Sequence, residues 1–320
     1  MILLKPAASV ISRCDIKELD ENNEGLAMAD YEIQAEDGRA ISFADFGKPG
    51  DIAVLCCHGG PGSRMEMKAS AEEANSAGFR LIGVDRPGYG KSTALPGRSI
   101  SDWTKDALAI ADHLGLHKFM TLGNSTGGSY ALAIASVAPD RVLGVMVGCG
   151  MSDMHWANTV EEARMPASGS IWRATNRDEY LTIASDQFGE HGEKMLEPAP
   201  DAPPMLSPPD LALVSDPAYG ANDPDNEPFR QGVVGYADDR IADGPQTGWS
   251  SFDINKVVCP VMIIHGEQDW IVPISHAYHT ASLLENALIK TFPEHGHLSL
   301  GTEIVGALVE LLARVELEPT

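Results

Sequence analysis

A serine between glycines, two closely spaced histidines and an acidic residue that lies between them and the serine in chain order are the residues here whose types and spacing suit covalent chemistry. The serine sits in Gly123-Asn124-Ser125-Thr126-Gly127. An apolar run of strand length precedes it, and a run of small residues with helical character follows. A nucleophile held in a tight strand-to-helix turn needs such neighbours, because a Cβ on either side would keep strand and helix apart. The start of the following helix also favours negative charge developing beside Ser125. An ordinary helix-capping serine would give the same five residues, so the other chemical groups have to discriminate.

A serine hydroxyl is a poor nucleophile at neutral pH. It needs a base to take its proton and a carboxylate to hold that base in the right tautomer. Pro293-Glu294-His295-Gly296-His297-Leu298-Ser299 follows the last apolar strand and offers two imidazoles. Ile264-His265-Gly266-Glu267-Gln268-Asp269 follows an earlier one and offers Asp269, with Glu267 and Asp153 as rival carboxylates. The chain order Ser, Asp, His suits attack by Ser125, with either His295 or His297 as base. His58-Gly59-Gly60-Pro61-Gly62-Ser63 ends another apolar strand. Glycines there let a backbone N–H face a substrate, so the oxyanion donors are assigned to the amides of Gly60 and Thr126. The loop reads equally as a tight turn. His265, Glu267 and Asp269 splay along an extended segment, and no His-x-x-x-His pair lies within a predicted helix, so neither a metal nor a cofactor is expected.

These groups need a scaffold that brings three chain regions to one edge. Residues 31–46 alternate around Glu36-Asp37-Gly38-Arg39 and read as a hairpin. Strand-length runs at 52–57, 80–84, 118–122 and 142–147 then alternate with helical stretches at 65–77, 101–114 and 127–138, Ser101 opening the second helix and Gly115 stopping it. That pattern predicts an α/β fold with a parallel sheet covered on both faces. From 152 to 248 the pattern breaks into Pro-, Asp- and Gly-rich sequence, helical at 170–188 and irregular or mobile over 198–225. A strand at 257–265, a helix at 275–285, a strand at 287–292 and a helix at 302–315 resume the sheet. The expected organisation is a core of 1–151 and 250–320 with a helical cap inserted at 152–249.

Taken together, the His58 loop, Asp85-Arg86-Pro87-Gly88-Tyr89-Gly90-Lys91-Ser92, the Ser125 turn, the Asp269 loop and Gly296-His297 resemble motifs of the α/β-hydrolase superfamily, over about 31–315 and skipping the insertion. The resemblance implies His297 rather than His295 as the base, and Arg86 and Tyr89 as loop architecture. A serine at the turn argues against the dehalogenase and epoxide hydrolase branches, which attack with a carboxylate. The function expected is a serine hydrolase that cleaves a small carboxylic ester through an acyl-enzyme on Ser125. Residues 58–62 also resemble part of the proline iminopeptidases, although Asp85-Arg86-Pro87 and Asn124-Ser125-Thr126 depart from the forms expected there. Such a peptidase would need carboxylates for a substrate ammonium, and Glu161, Glu162, Asp238 and Asp239 are the candidates. Carbon–carbon bond hydrolysis and a hydrolase-fold ligand receptor are the further alternatives.

Composition narrows the partners. The 320 residues carry a formal charge of -23, which repels phosphate backbones and anionic lipid headgroups, so neither nucleic acid nor membrane is an expected partner. Apolar residues make up 43% and charged residues 22%, the usage of a folded globular chain. The first eleven residues are too quickly charged for a signal peptide or a span, for which about 20 apolar residues are needed, and a cytoplasmic location is expected. A homodimer is compatible with the sequence. Cys14, Cys56, Cys57, Cys149 and Cys259 are odd in number and without C-x-x-C spacing, and read as packing residues. Met65 and Met67 read as core, with an acyl-pocket wall as the second choice.

Overall fold

The hairpin opens the fold: β1 (Ala29–Gln34) pairs antiparallel with β2 (Ala40–Asp45), and Gly38 takes the positive φ that the turn requires. The computed structural model describes residues 28–165, 171–195, 204–216 and 225–317. The expectations for the first residues and for Cys14 lie outside these. β3 (Ile52–Cys57), β4 (Phe79–Val84), β5 (Phe119–Asn124), β6 (Val142–Gly148), β7 (Val261–Gly266) and β8 (Ala287–Phe292) complete an eight-stranded sheet in the order β1-β2-β4-β3-β5-β6-β7-β8. From β4 to β8 every pairing is parallel. The central strands read as near-continuous apolar runs because both of their faces are covered.

One apolar layer packs Leu55, Trp103, Ile134 and Ile263 beneath α2 (Ile100–His113) and α3 (Gly127–Val137). The opposite layer packs Val54, Leu122, Ile264 and Leu308 beneath α1 (Ala71–Ser76) and α9 (Ile304–Leu317). Cys57 belongs to the first layer and Cys56 to the second, as the two-residue period of a strand demands. Met67 is core, and Met65 packs against it.

Several boundaries differ from the sequence reading, among them that of the helix expected at 170–188, which starts only at Arg177 after a separate 3-10 turn (Ile171–Arg173). α2 begins at Ile100, one residue earlier than expected, because Ser99, not Ser101, forms a reciprocal capping box with Asp102. The first helix is broken into a 3-10 turn (Glu66–Ser70) followed by the six-residue α1. β7 starts only at Val261, since Pro260 has no N–H to give a ladder.

Between β6 and β7, the described residues hold α4 (Met154–Ala157), α5 (Arg177–Phe188), α6 (Pro208–Val214) and α7 (Val234–Asp243), and no strand. The stretch expected to be irregular therefore contains a helix, started by Ser207 with proline in its first turn. Residues 196–203 and 217–224 on its two sides lie outside the described set. α5 packs Tyr180, Ala184 and Phe188 against Tyr236 and Ala237 of α7, and Tyr89 of the core joins that cluster. α7 comes so near the core that a Cβ on Gly235 would lie 2.6 Å from the Tyr89 ring. α8 (Ser275–Ser282) follows β7.

Strand order reverses at β3, which has β4 on one side and β5 on the other. Ligand crevices of open α/β sheets form at the carboxyl ends of strands beside such a reversal. The His58 loop, Ser125, Asp269 and His297 all follow the carboxyl ends of strands.

Candidate active site

Ser125 is one of three non-glycine residues at positive φ among those described, at +53°. Its backbone N–H donates to Gly148 O at 2.8 Å, continuing the β5–β6 ladder, and its carbonyl accepts from Gly128 N at 3.1 Å as α3 begins. A side chain in this conformation costs about 1–3 kcal/mol and persists only where the surroundings impose it. The two flanking glycines are what impose it. A Cβ on Gly123 would lie 2.1 Å from Gly127 O, and one on Gly127 would lie 2.0 Å from Cys57 O. Strand, helix and the neighbouring loop therefore meet where only glycine fits.

His297 Nδ1 lies 2.7 Å from Asp269 Oδ2. The other Asp269 oxygen accepts from Ile271 N and Val272 N, both at 2.8 Å, so the carboxylate cannot swing away. With Nδ1–H donated to Asp269, the ring presents Nε2 as its free acceptor. Burial works against the imidazolium, but the charge and hydrogen bond of Asp269, with Asp210 and Glu66 behind them, prevail and the His297 pKa is raised. Burial likewise opposes the charge on Asp269, and His297 overturns this, holding its pKa low.

The rivals are engaged elsewhere. His295 Nδ1 lies 3.0 Å from Ser299 O, and its Nε2 is 3.3 Å from Glu303. Glu267 accepts from the Thr291 hydroxyl. Asp153 caps α4 and accepts from Trp249 N. His265 is buried with Nε2 2.9 Å from Val272 O and 3.4 Å from Asp269. Among the described residues, one set of metal-capable donors lies close together, Cys149, Asp269 and His297. Two of its three members already share their own hydrogen bond. Among the described residues, Ser125 Oγ has no hydrogen-bond partner, and in the absence of substrate nucleophile–base contacts are commonly long.

The His58 loop is pinned from below. The His58 ring lies 2.6 Å by Nδ1 from Gly59 O, and its Nε2 accepts from Arg86 N at 3.1 Å. Burial and the nearby Arg86 charge hold it far below the usual histidine range, so it is neutral. Arg86 donates to both His58 O and Gly59 O, which ties back the carbonyls that precede the Gly60 amide. A Cβ on Gly60 would lie 3.1 Å from Thr126 Oγ1, so the two residues whose amides are the assigned donors are neighbours. Neither the Gly60 nor the Thr126 amide has an acceptor among the described residues. Glu66, not foreseen from sequence, binds this loop to the serine turn by accepting from Gly59 N at 2.7 Å and from Asn124 Nδ2 at 3.0 Å. Burial raises its pKa.

The family model of the α/β hydrolase fold matches residues 52–303. The chain belongs to the α/β-hydrolase fold family. The non-heme haloperoxidase of Rhodococcus erythropolis is 27% identical over 301 residues, covering 89% of this chain and 98% of the relative. The bifunctional esterase/perhydrolase of Acinetobacter calcoaceticus is 25% identical, covering 88% and 98%. A thermophilic esterase structure from Thermogutta terrifontis superposes with a TM-score of 0.63 at 22% identity over 89% of this chain and 98% of that one, a likeness of fold.

In this α/β-hydrolase, the carboxylates expected to meet a substrate ammonium are already neutralised or turned outward. Asp238 pairs with Arg177 at 2.7 Å. Asp239 is fully buried and accepts from Arg86, Arg98, Tyr89 and Tyr130. Burial opposes its charge, but the two guanidinium groups prevail and hold its pKa far below the carboxylate range. Glu161 and Glu162 stand exposed on a 3-10 turn. Asp239 therefore ties α7 to Arg86 and Arg98, while Asp238 ties it to α5. Asp239→Ala should cost about 3–5 kcal/mol, because Arg86 and Arg98 stay buried without a counter-charge. Denaturant unfolding measures this, and a loss under about 1 kcal/mol would show that water compensates the arginines.

Two more groups of the hydrolase had no signal in the sequence. Arg240 Nη2 donates to Thr126 Oγ1 at 2.5 Å and to Asp243 at 2.6 Å, a buried cation beside the assigned oxyanion donors. Asp210 of α6 is fully buried against the His297 loop. Arg240 sits on α7 and Asp210 on α6, between β6 and β7 and far along the chain from what they touch.

Proposed function

We propose that this α/β-hydrolase is a serine esterase acting on small carboxylic esters, with Ser125 as nucleophile, His297 as base and Asp269 as the group that orients it. Residues 152–249 serve as the cap over the site. The observation that carries the reading is the 2.7 Å His297–Asp269 hydrogen bond at the sheet edge where Ser125 is held at positive φ. Ser125 Oγ attacks the acyl carbon as its proton passes to His297 Nε2. The oxygen that becomes negative takes hydrogen bonds from the Gly60 and Thr126 amides, each such donor contributing roughly 3 kcal/mol to the transition state. Collapse expels the alcohol, which receives the proton from His297. Water, deprotonated by His297, then cleaves the acyl-enzyme and restores Ser125. The esterase named among the relatives supports the choice of ester. The aminopeptidase alternative loses support from the pairing of Asp238 and Asp239.

Turnover of p-nitrophenyl esters of graded acyl length, beside proline p-nitroanilide, tests the reading. Many turnovers on the short esters are expected, whereas a single burst with none following would point to a ligand receptor. The pH profile carries its own sign. The base works only when neutral and its pKa is raised, so the acid limb of kcat/KM should lie above the ordinary histidine value of about 6.5. An acid limb below that value would exclude His297 as the titrating base.

A further inference from the structure

We propose that Asp210, carried by α6 of the inserted segment, is the positioning residue for His297: its carboxylate fixes the main chain of the base, as Asp269 fixes the ring. This rests on the reading of His297 as the base.

Asp210 Oδ2 accepts from His297 N at 2.9 Å and from Ser207 Oγ at 3.0 Å. Oδ1 accepts from Leu298 N, Ser299 N and Ser299 Oγ, each at 2.9 Å. One carboxylate thus satisfies three consecutive amides leading into the 3-10 turn Ser299–Glu303. Such amides form the positive end of a helical start and have no partner within it. The loop's own acids do not serve them, since Glu294 is exposed and Glu303 reaches His295.

The glycine before the base gives an independent sign that the carboxylate belongs there. Gly296 is not at positive φ, so its backbone does not call for glycine. A Cβ on it, however, would lie 2.1 Å from Ser207 Oγ and 2.3 Å from Asp210 Oδ2. Its smallness admits the carboxylate. The base is therefore in place only when α6 is seated on the core.

The charged and titratable groups that face His297 are Asp269 and His265 from the β7 side, Cys149 from the end of β6, Glu66 from the 3-10 turn after the His58 loop and Asp210 from α6. Removing the Asp210 charge while keeping its shape should let the imidazolium lose its proton more readily. In Asp210→Asn the amide nitrogen faces His297 N–H, which loosens the loop as well. The rate of Ser125 labelling by a fluorophosphonate probe, followed across the acid limb, reads both effects. Asp210→Asn should label at least about tenfold more slowly, with the limb displaced to lower pH. Asp210→Glu keeps the charge and shifts it by one methylene. It should label slowly with the limb unmoved, and it keeps the test open if the asparagine variant does not fold, as judged by near-UV circular dichroism. Labelling of folded Asp210→Asn or Asp210→Glu at the wild-type rate would overturn the proposal, as would slow labelling of Asp210→Asn with an unmoved limb. Wild-type protein that is not labelled at Ser125 would instead overturn the esterase reading.

Discussion

Ser125→Ala should lower kcat on a short p-nitrophenyl ester by about a millionfold, the scale at which serine hydrolases lose turnover without their nucleophile. The expectation is sharp because the variant changes little else. Alanine at positive φ carries the same backbone strain as serine, and the glycines that force the turn are untouched. Ser125 Oγ has no hydrogen-bond partner among the described residues, so its removal leaves no orphaned group. The fold should therefore persist, and a small residual rate should remain from the Gly60 and Thr126 amides. Intact-mass spectrometry during turnover supplies the second check. An acyl adduct should form on the wild type and be missing from the variant. More than a tenth of wild-type activity in Ser125→Ala would end the esterase assignment to this residue.

The two histidines of one loop should separate almost as widely. His297→Ala removes the base and leaves Asp269 buried with its charge facing a void, so kcat should fall by about 10⁵–10⁶. His295→Ala should keep most of the activity. That ring is engaged by Ser299 O and Glu303, and the carboxylate of Asp269 is engaged by His297. Loss of the His295 ring costs a hydrogen bond of about 1 kcal/mol in stability. Steady-state kinetics of the two variants, compared at a pH above the acid limb, gives the ratio directly. Equal losses would move the base to His295 or show that the whole loop collapses, and thermal unfolding of His295→Ala distinguishes these two outcomes.

The groups proposed for the chemistry were readable because each announces itself locally. Gly123 and Gly127 mark a turn too tight for a Cβ, Gly60 marks a loop that turns amides outward, and each follows an apolar run of strand length. Between His295 and His297 the residues alone left the choice open, and the α/β-hydrolase resemblance made it, because two imidazoles in one strand-end loop look alike until the fold aims them. Glu267 and His295 lie within two residues of Asp269 and His297 and point elsewhere. The capping box of α2 was also present in the sequence as Ser99 and Asp102, and the assignment of Ser101 overlooked it.

Asp210, Glu66, Arg240 and the partners of Asp239 are of another kind. Asp210 meets His297 across 87 positions and Arg86 meets Asp239 across 153. A carboxylate's role is set by the donors around it, and those are fixed by packing rather than by sequence neighbours. Asp239 thus reads as a ligand for a substrate ammonium on paper and is an internal counter-ion in the fold. By itself the sequence determined the sheet, the tight turns and the order of the chemical groups, since periodicity, glycine and chain direction act over a few residues. Only the tertiary structure decided which charges are free to act and which are already neutralised, because burial and ion pairing arise when distant segments come together.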